Sequence, residues 1–195
     1  GNGDNLEATY AMKRAEKGTW TFSVSGNLKG KYYTYQVNQE GQWMQEKPDL
    51  YAVAVGVNGR RSMIVDLDET DPEGWDLDKR PALNNYTDII IYELHIRDMT
   101  IHPSSGSGRP GKYAGLIETG TRSPQGLTTG LDHIKELGVT HVHLLPTFDH
   151  RSIDETRLNE PQYNWGYDPL NYNVPEGSFS SDPYDGAVRI KEFKE

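Results

Sequence analysis

The sequence contains no cysteine. Disulfides and thiolate metal sites are therefore excluded, while the redox compartment stays open. No apolar run approaches the ~20 residues of a membrane-spanning helix. Basic residues are in deficit, with 20 Lys and Arg against 29 Asp and Glu, giving a net charge of −9. A phosphate backbone calls for a basic face, so the charge argues against nucleic acid as a partner and fits a neutral ligand. No signal peptide is visible, and the sequence does not place the protein in any compartment. What is present is ordinary: 34% apolar and 25% charged residues in a chain of 195. That length can bury one good core or two small ones.

The first third alternates. Thr19–Ser25 sets Trp20, Phe22 and Val24 on one face, which predicts a strand with Trp20 in the core. Lys31–Asn38 repeats the pattern with Tyr33, Tyr35 and Val37. Leu50–Val55 and Arg61–Leu67 read as further strands, with Asn58-Gly59 as a hairpin turn between them. Glu16-Lys-Gly18 and Asn27-Leu-Lys-Gly30 punctuate the earlier ones. About five short strands fall short of the roughly seven in about 100 residues of a full sandwich. Trp43 lies in a polar stretch and is predicted to be exposed.

Residues 66–88 change character, mixing Asp and Glu with Pro72, Gly74 and Pro81. They predict a solvated acidic linker anchored by Trp75, without the central Gly and acid spacing of a calcium loop. Then the period switches. Ile89–Arg97 begins as a buried parallel strand and ends with Glu93, His95 and Arg97 on one face, a structural network. A long loop reaches about Gly126. Leu127, Leu131, Ile134 and Leu137 mark a helix, with Thr129 and Asp132 at capping-box spacing and Gly138 as its stop. Val139–Leu145 is a second strand, so a βαβ unit is predicted. Residues 186–195 read as a second helix, unfinished.

Tyr163-Asn-Trp-Gly-Tyr-Asp-Pro169 is the most informative stretch. Flat rings beside one carboxylate suit a pyranose, which offers a C–H face and a rim of hydroxyls. A buried aromatic corner is the competing reading. The heptad, the Leu170–Ser178 segment after it, Ile90–Thr100, Gly130–Asp149 and Thr70–Trp75 together resemble type I pullulanases, α-1,6-debranching enzymes of glycoside hydrolase family 13. The resemblance covers residues 70–195 and, more softly, the strands before them. It implies residues 1–68 as the C-terminal part of a β-sandwich of carbohydrate-binding module family 48 type and residues 69–88 as a linker. Residues 89–195 would be the start of a (β/α)8 TIM barrel. It implies that Tyr167 stacks on the glucosyl unit at the cleavage point and that Asp168 binds its hydroxyls. Asn164 and Trp165 would shape the loop; read as residues alone, Tyr163 and Trp165 are expected to pack in the core rather than to bind.

The resemblance also implies a retaining mechanism whose carboxylates lie on later barrel strands, so no catalytic residue is assigned here. Neither an organic cofactor nor a metal is implied. The partners implied are an α-glucan and the remaining barrel strands. A two-stranded parallel sheet is not stable by itself, so the chain is expected to be a piece of a longer protein or to pair with a second chain that supplies the missing strands. Another family 13 member, such as an isoamylase or a branching enzyme, and a non-catalytic glucan-binding piece are the alternatives.

Two decoys remain. His141 and His143 share a strand face, but a metal wants a third ligand. Gly106–Lys112 satisfies G-x-x-x-x-G-K, yet Tyr113 stands where Ser or Thr should be, no helix is expected to open there, and Pro110 stiffens it. A flexible loop is predicted instead.

Overall fold

The computed structural model describes residues 5–195. The first four residues of the expected sandwich piece lie outside that range. The early strands are present but short. Strand β1 (Lys13–Arg14) pairs antiparallel with β2 (Trp20–Thr21), around a turn in which Lys17 takes a left-handed backbone. Strand β3 (Tyr32–Tyr33) pairs with β6 (Ser62–Met63), and β4 (Asn38–Gln39) with β5 (Gln42–Trp43). Trp20 is corrected from core to surface: it is 58% exposed, with Phe22 and Val24 exposed beside it. The face of the β1–β2 ribbon is uncovered, and Phe22 stacks instead on Tyr10 at 4.6 Å. Trp43 is exposed, as its polar setting predicts. Residues 50–55 form no strand. The Asp49 side chain accepts from Tyr51 N at 2.9 Å and its carbonyl from Ala52 N at 3.1 Å, turning the chain.

Asn58-Gly59 makes the predicted turn. Both residues have positive φ, +58° and +62°, as a tight hairpin that follows strand twist requires. Gly59 is also a point of close approach, since a Cβ there would lie 2.3 Å from Asp149 Oδ2.

The βαβ prediction holds in its pairing. Strand β7 (Ile91–Leu94) lies parallel to β8 (His141–Leu144), with Glu93 opposite His143. The strand ends earlier than expected. His95 accepts from Asp98 N and caps helix α1 (Ile96–Thr100), so Arg97 is helical and the predicted common face of Glu93, His95 and Arg97 does not exist. Helix α2 (Tyr113–Leu116) opens where no helix is predicted, and buried Tyr113 joins Ile96 and Phe179 in one apolar cluster. Helix α3 (Gly130–Glu136) bridges the two strands and stops before Gly138. Its capping box is not formed: Thr129 Oγ1 donates to Ser105 O, and Asp132 accepts from Gly120 N at 2.6 Å. Leu127 and Leu137 are exposed, and Ile134 carries the burial.

Strand β9 (Phe148–His150) pairs antiparallel with β10 (Pro169–Pro175) through an irregular register. Val174 of β10 packs on Ala52 and Val55. Helix α4 (Gly186–Lys194) is present as predicted, capped by Asp185, which accepts from Ala187 N at 2.8 Å. The acidic linker is less free than predicted. Lys194 binds Asp71 and Leu67 O and sits 5.2 Å over the Trp75 ring, which is itself 42% exposed. Among the described residues, no helix is long and apolar enough to cross a membrane. Five two-stranded sheets and few helices make up the described fold, and no barrel closes.

Candidate functional site

The aromatic heptad ends a loop that leaves β9 at Arg151 and enters β10 at Pro169. Hydrogen bonds close its neck. Arg151 N donates to Asp168 O at 3.0 Å. Ser152 donates to Asp168 Oδ2 from both its amide and its hydroxyl. Asn164 Nδ2 donates to Asp168 Oδ1 and to Ser152 Oγ. Asn164 Oδ1 accepts from Gly166 N at 2.7 Å, a side-chain turn that bends the heptad back on itself. Asn164 is therefore the loop-shaping residue predicted. Its carbonyl also meets His95 Nε2 at 2.9 Å, joining the loop to the end of β7.

Gly166 makes the bend possible. Its φ is +93°, and a Cβ there would lie 2.8 Å from Pro146 O and 2.9 Å from His150 Cε1. The tight bend throws the rings outward. Tyr163, Trp165 and Tyr167 are 53%, 65% and 66% exposed. Core packing of Tyr163 and Trp165 is thereby corrected: the Asn164 side chain and buried Gly166 take the inner side of the turn, and both rings face outward. Tyr163 leans on His95 and lies under the Arg97 guanidinium, 5.8 Å from its ring centroid.

Burial works to raise the Asp168 carboxyl, but the hydrogen bonds from Ser152 and Asn164, with His150 nearby, outweigh it and hold it below the usual carboxylate range. Asp168 is ionised at neutral pH. It accepts three hydrogen bonds within the loop, and a carboxylate has about four acceptor positions. One remains on Oδ1 for an external donor.

Under the loop is a cavity of about 300 Å³ lined by His95, His150, Asn164 and Phe179. His150 is fully buried between aromatic rings, edge-on to Phe148 and Phe179, and both ring nitrogens lack partners. Burial lowers its imidazole pKa against the pull of Asp168 and Asp149. Sequence reasoning missed His150 and Ser152, since neither stands in a pattern with the heptad.

The decoys resolve. His143 pairs with exposed Glu93 at 3.2 Å, and His141 turns to Thr140 at 2.9 Å. The Gly106–Lys112 loop is fastened rather than flexible. Glu118 takes Ser107 Oγ and Gly108 N, filling the place an anion would want. Lys112 Nζ is spent on the carbonyls of Ser178 and Ser180. Among the described residues, the carboxylates that gather closely enough to share a cation are Asp149, Glu155 and Glu176. The cation among them is the Arg189 guanidinium.

No family model matches the chain. Known proteins do. It is 41% identical over 187 residues to the pullulanase of Bacillus subtilis, a match covering 96% of this chain and 25% of that relative. It superposes on the crystal structure of the pullulanase of Paenibacillus barengoltzii, complexed with maltohexaose and alpha-cyclodextrin. The TM-score is 0.90 and the identity 57%, over 93% of this chain and 28% of that one. The pullulanase of Bacillus acidopullulyticus gives a TM-score of 0.90 at 46% identity, over 98% and 24%. These similarities define a single class of relatives, all named as pullulanases. The chain belongs to that family. It spans about a quarter of the length of these relatives.

Proposed function

We propose that this chain is part of a pullulanase-type hydrolase that cleaves α-1,6-glucosidic linkages in α-glucans. The observation that carries the reading is the outward-facing Tyr167 beside ionised Asp168, on a loop locked by Ser152 and Asn164. Tyr167 stacks on the glucosyl ring at the cleavage point. Asp168 takes a sugar hydroxyl on its remaining acceptor position. The relative from Paenibacillus barengoltzii, complexed with maltohexaose and alpha-cyclodextrin, supports an α-glucan as the ligand. Residues 1–68 are read as the end of a carbohydrate-binding-type sandwich and residues 69–88 as a linker. The β7–α3–β8 unit with α4 then opens a (β/α)8 barrel. Retention requires a nucleophile and an acid/base about 5–5.5 Å apart. These come from barrel strands outside this chain, and no organic cofactor takes part.

Product analysis tests the proposal. A full-length enzyme carrying this chain is expected to release maltotriose from pullulan. Debranching of glycogen without attack on pullulan would assign it to an isoamylase. Glucan binding by residues 1–88 with no turnover by the full-length protein would leave a binding piece.

A further inference from the structure

Behind the aromatic loop lies an ionic cluster that the proposed sugar contact does not use. Arg189 of α4 is fully buried. Its guanidinium donates to Asp149 on β9 at 3.2 Å and to Glu155 in the loop at 2.6 Å. It also donates to the carbonyls of Gly56, Pro175 and Pro183. Glu176, which follows β10, completes the group and accepts from His150 N at 2.6 Å and Ser178 N at 2.9 Å. One oxygen from each of the three carboxylates lies within 4.8 Å of the others. Glu155 Oε1 is buried without a partner.

The placement gives the cluster a purpose. Asp149 lies just before the loop, Glu155 within it, and Glu176 just after β10. One guanidinium thus ties the first root of the loop, at Asp149, and its early turn, at Glu155, to the far end of β10, at Pro175 O. Glu155 also reaches the Asn58-Gly59 turn: Asn58 N donates to Glu155 Oε2 at 2.6 Å, and Glu155 N donates to Asn58 Oδ1 at 2.7 Å. The charges do not balance. Fully ionised, three carboxylates around one guanidinium leave an excess of negative charge in a dry site, which is costly. A bound proton relieves it.

We infer that the cluster is a proton-linked clamp, in which Arg189 is the positioning residue for the loop bearing Tyr167 and Asp168, and a proton held among Asp149, Glu155 and Glu176 keeps the clamp closed. Burial supports this. It pushes Asp149 up to about 6 and Glu155 up to about 7, against the attraction of Arg189, and it raises Glu176 as well. The other ionisable groups facing the cluster are few. His150 Nδ1 lies 3.8 Å from Glu176. Lys112, beside α2, feels Glu155 and Glu176, and Tyr113 of α2 feels Glu176 and Arg189. Glu192 of α4 acts on Lys112 and Tyr113, while Tyr32 of β3 feels Arg189 and Asp185.

The test uses the full-length enzyme. Amide exchange of residues 151–168, corrected for its intrinsic pH dependence, should lose protection between pH 6 and pH 8. In Glu155→Gln, which removes one charge, protection should persist across that range. Wild-type protection that ignores pH, or a Glu155→Gln variant that follows wild type, overturns the proton. This readout needs no turnover, so it stands apart from the proposed reaction. The positioning role rests on that reaction and is read from kinetics. Arg189→Met should raise the KM for pullulan about tenfold with little change in kcat, and Arg189→Lys should recover part of the loss. A fall in kcat at unchanged KM, with no rescue by Lys, overturns it. Should Arg189→Met fail to fold, Arg189→Lys read in the same way and the Glu155→Gln exchange profile decide.

Discussion

At the scale of single residues, exposure and burial separate binding from support. Tyr167 is 66% exposed, so its removal should cost the fold little. Tyr167→Ala is expected to raise the KM for pullulan about tenfold, the upper range for loss of one ring contact, with the melting temperature unchanged. Calorimetry beside steady-state kinetics checks both halves, and a large drop in melting temperature would make Tyr167 structural. His150 is the opposite case. Its ring is buried among aromatic neighbours with two unpaired nitrogens, and each unsatisfied buried polar group costs about 1–3 kcal/mol. His150→Phe should therefore stabilise the enzyme, by about 2 kcal/mol at the low end of that range for two groups, and denaturant titration showing a lower midpoint would contradict this. The placing of Tyr167 and Asp168 together on one loop was legible because the heptad carries both. His150, one residue beyond Asp149, carries no local signal of what its side chain will meet.

Among elements, the periodic ones were readable and the cross-chain ones were not. The β7–α3–β8 unit follows from an apolar run, a helical stripe and a second apolar run; its pairing forms as predicted, but its expected burial does not, since Ile90 and Ile91 are exposed. The early strands shrink to two-residue ladders because local side-chain bonds, such as that from Tyr51 N to Asp49, offer the backbone an alternative. The end of β7 was misread for the same reason, since His95 caps α1. The Arg189 cluster was invisible because its members span residues 149–189 and meet across three elements. One consequence belongs to the β7–β8 pair. Ile90 and Val142 share one face and are 57% and 43% exposed, and Ile91 is 62% exposed on the other; a two-stranded parallel sheet with uncovered apolar side chains invites association. The isolated 195-residue chain should self-associate in light scattering. A monodisperse 22.0 kDa monomer that melts cooperatively would oppose that view.

For the whole molecule, the buried carboxylates set a pH dependence of stability. Asp149 and Glu155 hold protons to about pH 6 and about pH 7 when folded, whereas the unfolded carboxyls ionise near pH 4. Between those limits the folded state binds more protons, so stability falls as pH rises. His150 opposes this trend below about pH 6.5, because its imidazole is lowered on folding. From pH 6.5 to pH 8 the raised carboxylates outweigh the single lowered imidazole, and stability should fall by at most about 1.4 kcal/mol per pH unit for each proton released. Melting temperatures of the full-length enzyme across that range check the sign, and Glu155→Gln should flatten the slope. The Asn58-Gly59 turn adds a consequence in time rather than in energy. An Asn-Gly pair ages chemically when the glycine amide nitrogen attacks the asparagine side chain and expels ammonia. Here Gly59 N is engaged by Gly56 O, and both ends of the Asn58 amide are held, by Glu155 N and by Asp154 Oδ1. The folded protein therefore shields this Asn-Gly pair. Stored preparations should age slowly at this position while the residue 154–155 contacts last, and quickly once they open.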